Sequence, residues 1–119
     1  MREPIRDKER LTHINQAIGR IKRYTKDLSY DSFIADDMVY YAVVKNIEII
    51  GEAANMLTAE FQIAHPKTPW KMIKGMRNYI VHEYFQIDSN VVWNVVTQNL
   101  PELEAQVTEY LSEDLSHSK

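Results

Sequence analysis

The stretch DDMVYYAVVKNIEIIGEAANML, residues 36–57, carries apolar side chains at Val39, Val43, Ile47, Ile50, Ala54 and Leu57. Steps of three and four residues return to one face of a 3.6-residue helix, and no period-two alternation competes with them. Asp36 and Asp37 put carboxylates at the positive end of the helix dipole, so a helix is predicted to begin there. Upstream, Leu11, Ile14, Ile18, Ile21 and Leu28 draw the same kind of stripe along a helix from about Asp7 to Asp27. Tyr30 to Ile34, between the two, reads as a short turn or a single helical turn. Downstream, His65-Pro66-Lys67-Thr68-Pro69 breaks the pattern. Thr68 as N-cap with Pro69 at the first helical position predicts a third helix, carrying Trp70, Ile73, Met76 and Ile80 inward. A fourth helix, from Asp88 or Ser89 to about Ser112, holds Val92, Val96, Leu100, Leu103, Val107 and Tyr110 in register. Pro101 lies inside it and is expected to kink it. The expected fold is all-α: one domain over residues 1–119, an antiparallel four-helix up-and-down bundle with room for one extra short helix.

Composition narrows the function classes. Apolar residues make up 45 % of the chain and charged ones 26 %, the balance of an ordinary soluble domain. No apolar run approaches the ~18 residues of a membrane span. Met1-Arg2-Glu3-Pro4 has no apolar segment behind its charges, so no secretory signal is expected. With no cysteine there is neither a disulfide framework nor thiolate chemistry, and a cytoplasmic setting is expected. The net charge of −3 does not advertise nucleic-acid binding, but its distribution is polarised. Residues 1–26 hold eight Lys/Arg against three Asp/Glu, whereas residues 101–119 hold five acids against Lys119. A polyanion would be met by one side of the molecule; a mixed solvated surface gives the same asymmetry.

Chemistry concentrates at the end of the third helix, in Gly75-Met76-Arg77-Asn78-Tyr79-Ile80-Val81-His82-Glu83-Tyr84. Arginine grips phosphate oxygens in a bidentate fork at any working pH. Histidine exchanges protons near neutrality. Metal-free RNA cleavage needs this pair: a proton must leave the 2′-hydroxyl, the phosphate must be stabilised, and the departing 5′-oxygen must gain a proton. Five residues along a regular helix turn Arg77 and His82 about 140° apart and about 7.5 Å along the axis. Either the helix ends or kinks before His82, or a second subunit completes the site. Arg77 and Tyr84, seven apart, would share a face if the helix continued.

The string Trp70-x-x-Ile73-x-Gly75-Met76-Arg77-Asn78-x-x-Val81-His82-x-Tyr84 resembles the signature of HepT-type HEPN proteins. Arg77, His82 and Tyr84 fall on that family's core motif, R-x-x-x-x-H-x-Y. Asn46-Ile47-Glu48-Ile49-Ile50-Gly51-Glu52-Ala53 resembles its other recurrent stretch. The resemblance implies a metal-independent endoribonuclease toxin of a type VII-like toxin–antitoxin system, active as a homodimer with the motif in the dimer cleft. Arg77 and His82 would be catalytic, and Asn78 an auxiliary polar neighbour. Tyr84 would be the hydroxyl that a partner nucleotidyltransferase, the MntA-type antitoxin, modifies with AMP. The added phosphodiester would compete for Arg77 and its purine would fill the cleft. No cofactor or metal is implied.

Lys67, Lys71 and Lys74 run up to Arg77, and Lys71 and Lys74 are candidate RNA contacts; a solvated helix face explains them equally. Glu48 and Glu52, one turn apart, read as a polar face or a partner contact, with an auxiliary role near the cleft open. Gly51 and Gly75, both inside predicted helices, point to close helix approach. Met56, Met72, Met76 and the two tryptophans fit a core or a dimer face, and no axial ligand pair for a haem stands out. His13, His65 and His117 have no companions in sequence and read as surface residues. Two other readings stay open: a non-catalytic helical subunit that binds RNA or a nucleotide for a nucleotidyltransferase, and a structural dimerisation bundle.

Overall fold

The computed structural model describes the backbone of residues 2–82 and 87–117, and side chains over 6–80 and 87–113. Every regular element among the described residues is a helix, with α1 Arg2–Thr25, α2 Tyr30–Ala35, α3 Asp37–Asn55 and α4 Ala59–Ala64 in the first half. The second half comprises α5 Trp70–His82, α6 Ser89–Asn94, a π-helical turn Val95–Asn99 and α7 Leu100–His117.

Boundaries follow from the side chains that can satisfy free backbone N–H groups. Asp36 Oδ1 accepts from Val39 N–H at 3.1 Å and starts α3 where the acidic pair predicted it. Thr58 Oγ1 accepts from Phe61 N–H at 3.1 Å, and Asp88 Oδ1 from Asn90 N–H at 2.8 Å. Asp27 adopts φ 63°, a left-handed conformation that an aspartate tolerates, just beyond the end of α1. Leu28 therefore lies outside α1 and is only half-buried. Helix α2 is the single turn foreseen between Tyr30 and Ile34. Helix α4 has no counterpart among the four predicted helices and takes the place left for an extra one. Its start is also a tertiary tie, because the buried Asp7 carboxylate accepts from Thr58 N–H at 2.9 Å and from Thr58 Oγ1 at 2.8 Å.

Thr68 does not cap α5 as predicted. Its buried hydroxyl donates to Gln106 Oε1 at 2.7 Å and accepts from the Tyr110 hydroxyl, both on α7. The Pro69 carbonyl instead takes the first bond of α5, from Ile73 N–H at 3.1 Å. The fourth predicted helix exists but is divided. Pro101 has no N–H and crowds the carbonyl four residues back, and the chain widens into the π turn immediately before it, where Leu100 N–H reaches Val95 O.

Helix α3 packs against both α1 and α5, and α1 also packs on α7. Arg20 of α1 pairs with Asn46 within α3, and Asp7, earlier on α1, pairs with Thr58 just past the end of α3. Asn15–Thr108 and Lys22–Glu104 likewise run in opposite senses along α1 and α7. These are the antiparallel neighbours of an up-and-down bundle. Ile14, Ile18, Val43, Ile47, Ile50, Ile73, Ile80, Val92, Leu100 and Val107 fill its core, as their periodicity required. No helix among the described residues is long and apolar enough to cross a membrane.

Candidate active site

Arg77 is held from beneath and from the side. Beneath it lies Gly51 of α3: a Cβ at Gly51 would overlap the Arg77 Cβ and lie 3.2 Å from its Cα and Cγ. Only glycine admits the α5 backbone this close, which confirms the close approach expected at this position. Gly75 is different, since nothing lies within 4 Å of the Cβ it lacks. Its place in the helix has no packing reason among the described residues.

From the side, Glu52 Oε2 accepts from Arg77 Nη2 at 2.9 Å and from Nε at 3.2 Å. Arg77 Nη1 also reaches Asn78 Oδ1 at 3.4 Å. Glu52 is thus more than a bare polar face: it anchors the guanidinium within the chain. The two side chains are 35 % and 53 % exposed, so the pair adds less than about 1 kcal/mol to stability. Its effect is geometric. Nε, Nη1 and Nη2 each use one N–H on these partners, so two of the five guanidinium donors have no hydrogen-bond partner among the described residues. Glu48, one turn earlier, lies 3.7 Å from Lys45 and does not touch Arg77.

Helix α5 runs without a break from Arg77 through His82. The alternative in which the helix ends before His82 is therefore removed. The two residues sit five positions apart on one helix, a spacing that corresponds to about 140° of rotation. The His82 side chain and the whole of Tyr84 lie outside the described residues, as does the His117 side chain.

The lysine ramp is only partly available. Lys67 pairs with Glu109 at 3.1 Å, which raises its pKa, and Lys74 donates to Gln62 Oε1 at 3.1 Å. Lys71 is exposed. Asn46, in the second recurrent stretch, is structural: it accepts from Arg20 Nε at 2.7 Å and donates to Ala42 O at 2.8 Å. His65 is not a plain surface residue. Its ring stacks on Phe61 with centroids 4.1 Å apart, meets Tyr110 edge-on, and places Nδ1 2.9 Å from Phe61 O. His13 is exposed as expected.

The model of the ribonuclease HepT-like family matches residues 14–110, a span that encloses Gly51, Glu52, Arg77 and His82. The chain belongs to the HepT-like ribonuclease family. It is 39 % identical over 104 residues to "Putative RNase TTE0752" of Caldanaerobacter subterraneus subsp. tengcongensis, covering 87 % of this chain and 93 % of that one. It is 36 % identical over 97 residues to "Putative RNase MJ1380" of Methanocaldococcus jannaschii, covering 82 % and 89 %. "Probable ribonuclease HepT" of Thermococcus cleftensis is 33 % identical over 99 residues, covering 83 % and 90 %. No solved structure gives a significant match.

Proposed function

We propose that this HepT-like chain is a metal-independent endoribonuclease toxin that works as a homodimer, with Arg77 and His82 as its catalytic groups. The observation that carries the reading is the partly exposed guanidinium of Arg77, anchored by Glu52 over Gly51 with two donors that have no partner among the described residues. Those donors suit the non-bridging oxygens of a phosphodiester and the charge that grows on them in the transition state. His82 of one protomer takes the 2′-hydroxyl proton while that oxygen bonds to phosphorus. The P–O5′ bond breaks, and the partner's His82 gives the departing oxygen a proton. The products are a 2′,3′-cyclic phosphate and a 5′-hydroxyl. Asn78 limits the swing of the guanidinium, and Lys71 and Lys74 meet flanking phosphates. Silencing follows from AMP transfer to Tyr84 by an MntA-type nucleotidyltransferase, the antitoxin of a type VII-like pair, which brings a competing phosphate to Arg77.

The test is cleavage of cellular RNA in excess EDTA by wild type and His82→Ala, after intact mass excludes AMP on Tyr84. Cutting by wild type alone, leaving 2′,3′-cyclic phosphate ends, is the expected result. No cutting by either protein overturns the nuclease reading and leaves a helical RNA- or nucleotide-binding subunit.

A further inference from the structure

A groove of about 340 Å³ runs between α1 and α3, lined by Arg10, His13, Lys45, Glu48, Ile49 and Glu52 among others. Its volume falls at the small end of ligand pockets, room for about one nucleotide. Glu52 is shared: one side lines the groove, and its Oε2 holds Arg77. The groove therefore opens directly beside the candidate catalytic arginine.

The charges of the groove are unequally committed. Glu52 is paired with Arg77, and Glu48 lies 3.7 Å from Lys45. Arg10 and His13 enter no hydrogen bond or ion pair among the described residues, although α1 cations elsewhere do. On the opposite side of α1, Lys22 is neutralised by Glu104 of α7 at 3.1 Å. Lys22 is thus neutralised toward α7, whereas Arg10 and His13 line the groove toward α3 without a partner among the described residues.

We propose that the α1/α3 groove is a subsite for the nucleotide flanking the scissile phosphate of single-stranded RNA, an assignment that rests on the ribonuclease reading of Arg77. Arg10 and Lys45 hold its phosphate. Glu48 accepts from the ribose 2′-hydroxyl or from a base amino group, and Ile49 packs under the ring. The mixture of cations and carboxylates fits a nucleotide, which presents phosphate acceptors together with hydroxyl and amino donors, better than it fits a bare polyanion.

The probe is a fluorescein-labelled single-stranded RNA bound to the His82→Ala protein, followed by anisotropy across a salt series. Arg10→Ala combined with Lys45→Ala is expected to weaken binding about tenfold at 0.1 M salt. The slope of log K against log salt should become shallower by about 0.7 for each phosphate that is no longer neutralised. Arg10→Lys, which keeps the charge, should retain most of the affinity, and an unchanged urea-unfolding midpoint of the double alanine variant shows that its loss is not misfolding. Unchanged affinity and slope in the double variant overturn the subsite. So does a change of solution mass with RNA binding intact, which would make the groove a protein interface. Failure of wild type to cut RNA counts against the nuclease reading alone, because the groove is read by binding.

Discussion

Gly51 has no side chain because Arg77 occupies the space one would need. Gly51→Ala sets two opposing effects against each other. Helix propensity favours alanine by about 1 kcal/mol. Overlap with the Arg77 Cβ forces α3 and α5 apart at a cost of about 1–3 kcal/mol. Urea unfolding should show a protein no more stable than wild type, and cleavage should fall because the guanidinium moves with its backbone. Gly75→Ala is the control: with nothing within 4 Å, it should gain roughly 0.5–1 kcal/mol. A gain of the same size at Gly51 would refute the close-approach account. Glu52→Gln separates positioning from folding. The exposed ion pair predicts less than about 1 kcal/mol of lost stability. Loss of the anchor predicts a fall in kcat of about tenfold to a hundredfold, with KM little changed. Equal, proportionate losses in stability and turnover would argue that Glu52 is only structural.

At the scale of elements, the joint between α5 and α7 is polar where a cap was expected. Thr68→Val keeps the shape but strands the buried Gln106 Oε1 and the Tyr110 hydroxyl, so unfolding should be easier by about 1–3 kcal/mol. A second joint lies where α3 meets the turn before α6. Burial, then the Tyr41, Tyr79 and Tyr30 hydroxyls and the Asp88 charge, hold Tyr40 above the ordinary tyrosine range. The fold favours the neutral phenol, so its contribution is complete below pH 10 and is lost as pH rises through the raised value. Tyr40→Phe should flatten the alkaline limb of the stability profile and leave the neutral region unchanged. An identical alkaline limb would mean another group carries it. These joints also mark how far the sequence could be read. The stripes on α1, α3, α5 and α7 were legible because they repeat within one turn. Gly51 was legible as a glycine where a helix disfavours one. The pairing of Glu52 with Arg77 joins residues 25 apart, and Thr68 reaches a hydroxyl 42 residues away, so no periodicity announces either. Helix α4 is only six residues long, too short for a stripe. Pro101 announced a distortion, but its sequence position alone does not say whether the chain kinks or, as here, widens into a π turn.

For the whole molecule, the unbroken run of α5 from Arg77 through His82 bears on how many chains make one site. Two side chains about 140° apart on one regular helix do not converge on one phosphate. The proposed reaction needs His82 of both protomers at one phosphate, so mixed dimers of Arg77→Ala and His82→Ala should stay inactive. Only if one Arg77 and one His82 suffice for cutting should the two variants complement each other. In that case a mixed dimer carries one site with both residues altered and one intact. Random re-pairing of equal amounts makes half of the dimers mixed, so about a quarter of wild-type activity would return from two inactive parents. Re-pairing is checked by native mass spectrometry of differently tagged chains, and cleavage is measured on the same sample. If mixed dimers form and stay inactive, the cleft must need both arginines and both histidines around one strand, the arrangement used for acid and base in the proposed reaction. If dimers are absent at working concentration while wild type still cuts, the homodimer is wrong, and His82 must reach the phosphate of its own Arg77 through a rearrangement of the end of α5.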